Sequence, residues 1–140
     1  MSYTSIFIHC VWGTKQRTPI FLTSANRKII FQHIYEVAHQ KGILIDTIGG
    51  WKEHIHCLIA LKPVQTLGDV IKQLKGESSH WYNSRGEGRL AWQEEYFATS
   101  VSVSRLDVVR NYIRSQEEHH RHKSFDEEYE KFLEGIGMAR

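Results

Sequence analysis

The run Glu53-His54-Ile55-His56-Cys57-Leu58-Ile59-Ala60-Leu61 constrains this chain more than any other stretch. It is apolar almost throughout and reads as a buried strand. Side chains alternate across a strand, so His54 and His56 point to one face, one step apart. A polar pair set into such a run is costly to bury unless something satisfies it. One metal ion held by both imidazoles would do so.

The rest of the chain supplies a frame for that strand. Residues 5–12 read as a first, mostly buried strand, followed by a basic loop with Lys15 and Arg17. From Ser24 to Lys41 the period turns helical, with Ile30, Ile34, Val37 and Ala38 on one stripe and Gly42 as a stop. Ile43 to Ile48 read as a second strand and Gly49-Gly50 as a turn into the histidine strand. Thr66 and Asp69 open a helix that carries Leu67, Val70, Ile71, Leu74 and Trp81 on one side. Lys72, Lys75 and Ser79 fall away from that stripe.

Phe97 to Val103 alternate as a fourth strand. Ser104 with Asp107 marks a helix over about 104–120, and Ser124 with Glu127 opens a short tail helix over about 124–136. The order β-α-β-β-α-β predicts an α+β fold of the ferredoxin-like, split-βαβ kind. Its four-stranded antiparallel sheet places strands one and three at the centre, with the extra helices at the C-terminus. The histidines would then lie mid-sheet, on a rigid support.

Length and charge narrow the classes. At 140 residues the chain is expected to form one domain, 1–140. No run approaches a membrane span, and the first residues lack the pattern of a signal peptide, so a cytoplasmic protein is expected. Cys10 and Cys57 both sit in strand-like runs and read as buried free thiols. Residues 1–116 carry 14 Lys and Arg against 9 Asp and Glu, whereas 117–140 carry 4 against 7. A basic body with an acidic tail is compatible with a polyanionic partner.

On the helix after strand four, Tyr112 and Gln116 stand four residues apart and share a face. A tyrosine hydroxyl is a potential nucleophile and a glutamine carbonyl oxygen a potential metal ligand. With His54 and His56 they make a minimal kit for metal-assisted attack on a phosphodiester. A covalent phosphotyrosine stores the energy of the cleaved bond, so that a different DNA end can be joined without ATP.

The chain resembles the HUH-type single-tyrosine transposases, and more narrowly the small bacterial insertion-sequence transposases of the IS-two-hundred class with their REP-associated relatives. Four stretches carry the likeness: Val11-Trp12-Gly13-Thr14-Lys15, Glu53 to Ile59, Ile71 to Ser79, and Asn111-Tyr112-Ile113-Arg114-Ser115-Gln116. Gln116-Glu117-Glu118-His119-His120 and Ser124-Phe125 extend it. Glu53 stands where many relatives carry Asp.

The resemblance implies that His54, His56 and Gln116 hold a divalent metal, Mg²⁺ or Mn²⁺. It implies that Tyr112 forms a 5′-phosphotyrosine and frees a 3′-hydroxyl. The implied substrate is single-stranded DNA beside a hairpin, the implied assembly a homodimer, and the implied location the bacterial cytoplasm, on the nucleoid when bound to DNA. Lys15, Arg17, Lys72 and Lys75 are then candidates for phosphate contacts. His119 and His120 are assigned to a solvated helix end, and Trp12, Trp81 and Trp92 to core or interface. The competing reading is a non-catalytic or domesticated protein that uses the same sheet to hold single-stranded nucleic acid.

Overall fold

Burial on both faces of the two central strands decides the architecture of the computed structural model, which describes residues 2–137. Strands β1 (Phe7–Gly13), β2 (Leu44–Gly50), β3 (His54–Ala60) and β4 (Phe97–Val101) form one antiparallel sheet in the order β2-β3-β1-β4. This is the expected ferredoxin-like arrangement, with β1 and β3 in the middle. Cys10 and Trp12 of β1, with Ile55, Cys57 and Ile59 of β3, point into the larger core. Helices α1 (Ser24–Gln40) and α2 (Leu67–Ser84) cover that face with Ile30, Phe31, Ile34, Val70, Ile71 and Leu74.

The intervening residues His9, Val11, His54, His56 and Leu58 are all buried, on the opposite face. Three C-terminal helices cover that side: α3 (Leu106–Arg114), α4 (Gln116–His119) and α5 (Phe125–Gly135). Leu58 packs with Leu106 and Ile113, while Val11 packs with Phe97, Phe125 and Tyr129. The histidine face is thus an interior surface between sheet and helices.

Local chemistry fixes the boundaries. Thr23 caps α1 by accepting from the Asn26 backbone N–H, and Thr66 caps α2 by accepting from that of Asp69. Gly42 ends α1 at φ +79°, where the Ile43 and Gly42 N–H groups return to the Ala38 and His39 carbonyls. At α5 the Ser124 hydroxyl accepts from the Glu127 N–H and the Glu127 carboxylate accepts from the Ser124 N–H, a complete capping box. Both cysteines are free and buried, and burial pushes the Cys10 thiol up to about 12.

Two expectations need correction. Gly49 and Gly50 continue β2, and the reversal falls at Trp51–Glu53. The glycines serve close approach: a Cβ on Gly49 would collide with the Ile113 carbonyl oxygen of α3. Nor is 104–120 one helix. A 3-10 turn over Val103–Arg105 precedes α3, and the chain kinks at Ser115 (φ −100°, ψ 23°), whose hydroxyl donates to the Asn111 carbonyl.

Helix α3 is also pinned at its outer face. Asp46 occupies a bulge in β2, and Arg110 grips its carboxylate with Nε and Nη2 at 2.9 and 2.8 Å. The Arg110 guanidinium holds the Asp46 carboxyl below its ordinary value. Gly49→Ala should destabilise the fold by about 1–3 kcal/mol, the scale of overpacking against backbone that cannot move away. Urea unfolding checks it, and an unchanged midpoint would mean that α3 is not seated on β2.

Candidate metal and tyrosine site

Seven side chains from β3 and the C-terminal helical region converge on the covered face of the sheet. Strand β3 delivers His54 and His56, both fully buried. The kink at Ser115 turns Gln116 inward, leaving it 1% exposed, with Oε1 3.1 Å from His54 Nε2. His120, just past α4, brings Nε2 to 2.9 Å from the same oxygen. Glu128 of α5 is 2% exposed and places Oε1 at 3.4, 3.3 and 3.4 Å from Nε2 of His54, His56 and His120. Its other oxygen accepts the Tyr112 hydroxyl hydrogen and lies 3.2 Å from His119 Nε2.

The outer hydrogen bonds dictate what the inner atoms present. His54 Nδ1 faces Glu53 Oε1 at 2.7 Å, and His120 Nδ1 faces the Lys123 carbonyl at 2.7 Å. Both partners are acceptors, so each Nδ1 carries a proton, and in a neutral imidazole Nε2 then presents a lone pair. Gln116 Nε2 donates to the Tyr112 carbonyl at 3.1 Å, which turns its Oε1 toward the histidines. His56 Nδ1 lies 2.9 Å from His9 Nε2, with the same consequence when His56 is the donor.

Acceptors therefore face acceptors around one point. Among the described residues, His56 Nε2 and Glu128 Oε1 have no hydrogen-bond partner although both are buried. Such an arrangement is repulsive when bare and is satisfied by a cation. The donor set of imidazole nitrogens, one carboxylate oxygen and one amide oxygen fits a divalent first-row metal, and nitrogen ligands favour Mn²⁺ over Mg²⁺. His54, His56 and Glu128 offer one ligand atom each, all within 4.8 Å of one another, and His119, His120 and Glu128 do the same.

Titration follows the burial. Burial drives His9 down to about 3, with the His56 charge acting in the same sense. Burial also drives His56 down to about 4, opposed by the Glu128 carboxylate. For Glu128 burial alone would raise the pKa, whereas the His120, His56 and His54 imidazoles, when they carry a proton on the facing nitrogen, hold it well below the carboxylate range. The Tyr112 phenol is pushed up by burial and by the Glu128 charge, so the hydroxyl stays protonated at rest.

The structure thus brings Tyr112, His54, His56 and Gln116 into one cluster within a single chain. The Tyr112 and His56 rings lie 5.7 Å apart. The basic candidates are placed differently. Arg17 pairs with Asp126 at 3.0 Å, bonds the Gln93 side chain and lies 4.6 Å over the Phe125 ring, so it fastens α5. Lys15 is exposed on the same loop. Lys72 and Lys75 belong to α2, on the other side of the sheet, and Lys75 Nζ donates to the Gln93 and Glu94 carbonyls at 2.8 and 3.1 Å.

Sequence reasoning missed His9, Glu128 and His120, and it assigned His120 to solvent, whereas its side chain is 2% exposed. One signal was available. Phe125, Glu128, Tyr129 and Phe132 fall on one helical stripe, where an acid among aromatics is out of place.

Comparison with known proteins shows the family and the fold. The family described as "Transposase IS200 like" matches residues 2–116. The transposase TnpA of ISDra2 from Deinococcus radiodurans is 27% identical over 117 residues, covering 77% of this chain and 81% of its own length. The fold is shared with a crystal structure of a candidate transposase from Deinococcus radiodurans R1, at TM-score 0.63 and 22% identity over 83% of this chain and 95% of that one. It is shared also with a REP-associated tyrosine transposase bound to a REP hairpin, at TM-score 0.60 and 15% identity over 86% of this chain and 74% of that one. Since the family match runs from the second residue through β3 and the tyrosine helix to Gln116, the chain belongs to the IS200-like transposase family, whose members act on DNA.

Proposed function

We propose that this protein cleaves and rejoins single-stranded DNA at hairpin-marked ends through a 5′-phosphotyrosine on Tyr112, assisted by a divalent metal. The observation that carries the reading is a set of buried acceptor atoms aimed at one point beside a tyrosine hydroxyl. His54, His56 and Gln116 would hold the metal, as in the HUH pattern. When bound it polarises a phosphodiester oxygen and stabilises the charge that develops in the transition state.

The chain's own groups do the remainder. Tyr112 Oη attacks phosphorus in line, and its proton leaves along the hydrogen bond it already donates to Glu128. The bond from phosphorus to the 3′ oxygen breaks, and that oxygen takes up the proton Tyr112 released and departs as a 3′-hydroxyl. Rejoining reverses these steps: a 3′-hydroxyl from another end attacks the phosphotyrosine and returns the phenol. The structurally similar REP-associated transposase was solved on a REP hairpin, which supports a hairpin substrate here. A homodimer belongs to the same reading, as the family resemblance implies.

Phosphate contacts from Lys15 and Arg17 fit it too, because their loop adjoins α5. Lys72 and Lys75 would meet a strand only on the far side of the sheet. The test is to incubate the protein with Mn²⁺ and labelled hairpin-bearing single strands from beside its own gene. A denaturation-resistant protein–DNA adduct should form, with the nucleotide on Tyr112 in peptide mass spectra. Binding without an adduct, or an adduct on another residue, overturns the reading; binding alone would favour the non-catalytic alternative.

A further inference from the structure

We propose that helix α5 completes the catalytic centre: Glu128 is a metal ligand through Oε1 and the positioning partner of Tyr112 through Oε2, with His120 as a further ligand. This inference rests on the metal-and-tyrosine reading above. Both residues lie beyond the stretch matched by the family, which ends at Gln116.

A buried carboxylate is tolerated when hydrogen bonds or a metal compensate it. Glu128 Oε2 has the Tyr112 hydroxyl, but among the described residues Oε1 has no hydrogen-bond partner. It faces three imidazole nitrogens, two of which are turned lone pair inward by Glu53 and the Lys123 carbonyl. Glu128 Oε1 lies 3.4, 3.3 and 3.4 Å from these nitrogens, close enough for the oxygen to share one ion with them.

Nor is the placement of α5 incidental. Phe125 stacks flat on His54 at 4.1 Å, and Arg17 lies 4.6 Å over the Phe125 ring. Phe132 stacks on Phe97 of β4 at 4.9 Å. The Arg17–Asp126 pair and the capping box fix the first turn, and Glu128 follows one turn after Phe125. A rigid helix thus carries a carboxylate that touches the nucleophile with one oxygen and the histidines with the other. One group would couple metal occupancy to the position of Tyr112 within the same chain.

The experiment measures Mn²⁺ affinity by calorimetry on the full chain for the wild type, Glu128→Gln and His120→Gln, with melting in EDTA as the control for folding. Glu128→Gln keeps the shape and an acceptor for Tyr112, so its metal-free form should melt near the wild type. We expect each variant to bind Mn²⁺ at least about ten-fold more weakly, and to lose most of the rise in melting temperature that Mn²⁺ gives the wild type. Wild-type affinity in Glu128→Gln overturns the proposal while leaving the adduct reading intact. Should Glu128→Gln not fold, His120→Gln decides alone. A wild type that forms no adduct and binds no Mn²⁺ defeats the underlying reading, and this inference with it.

Discussion

Tyr112→Phe should abolish the covalent adduct and strand joining, by about ten-thousand-fold or more, the scale seen when a catalytic nucleophile is removed, while hairpin binding should stay within about two-fold, since phosphate and base contacts carry it. The two effects separate because the substitution deletes one oxygen and keeps the ring. That ring makes edge contacts with His9, His56 and Phe132 at centroid distances of 6.2, 5.7 and 6.2 Å. Packing on the covered face is therefore retained. Glu128 Oε2 loses the Tyr112 hydrogen bond but keeps His119 Nε2 at 3.2 Å. The stability loss should be about 1.5–3 kcal/mol, the scale of one buried hydrogen bond to a charged group. Adduct assays on denaturing gels and hairpin titrations by anisotropy read the two quantities independently. An adduct that persists in Tyr112→Phe removes Tyr112 from the chemistry.

The parts of this site that are local in sequence were legible there; the parts made by tertiary contact were not. Alternation alone puts His54 and His56 on one face, and helical spacing alone pairs Tyr112 with Gln116. The fold followed from the order of periods, and the capping signals at Thr66 and Ser124 mark real helix starts. Gly49-Gly50 misled because a glycine pair signals a turn in isolation, whereas here it clears space for Ile113 of a helix more than sixty residues away. Ser115 misled because a serine within a helical period gives little warning that its hydroxyl will bond back to Asn111.

His120 and Glu128 were hidden for a related reason. A charged or histidine-rich segment after a helix is usually solvated, and only the return of α5 over the sheet makes an interior of it. His9 needs the register as well. Val11 pairs with His56 and His9 with Leu58, and this diagonal offset brings the two imidazoles together.

In metal-free protein, the buried imidazoles should make stability strongly dependent on pH. His56 titrates at about 4 in the folded chain, against 6.5 for the unsuppressed group, because burial disfavours its charged form. Between those values the unfolded chain binds the proton and the folded chain does not, so falling pH favours unfolding. The stability that His56 contributes is whole above pH about 6.5, declines as the pH falls, and is lost near 4; the span corresponds to about 3 kcal/mol. His9, driven to about 3, extends the same loss further into acid. Glu128 acts in the same direction lower down, since its folded carboxyl lies below the ordinary range and protonation removes its compensation of the histidines. Bound metal should oppose the loss at neutral pH and be released as the ligands protonate, because only neutral imidazoles can coordinate. Urea midpoints in EDTA from pH 8 to pH 4 should therefore fall steeply below about 6.5, the unfolded histidine value, and Mn²⁺ should raise them at pH 8 but not at pH 4. Midpoints in EDTA that stay level across this interval would mean the imidazoles are solvated, and the cluster could not then be the dry, acceptor-lined cavity that a cation completes.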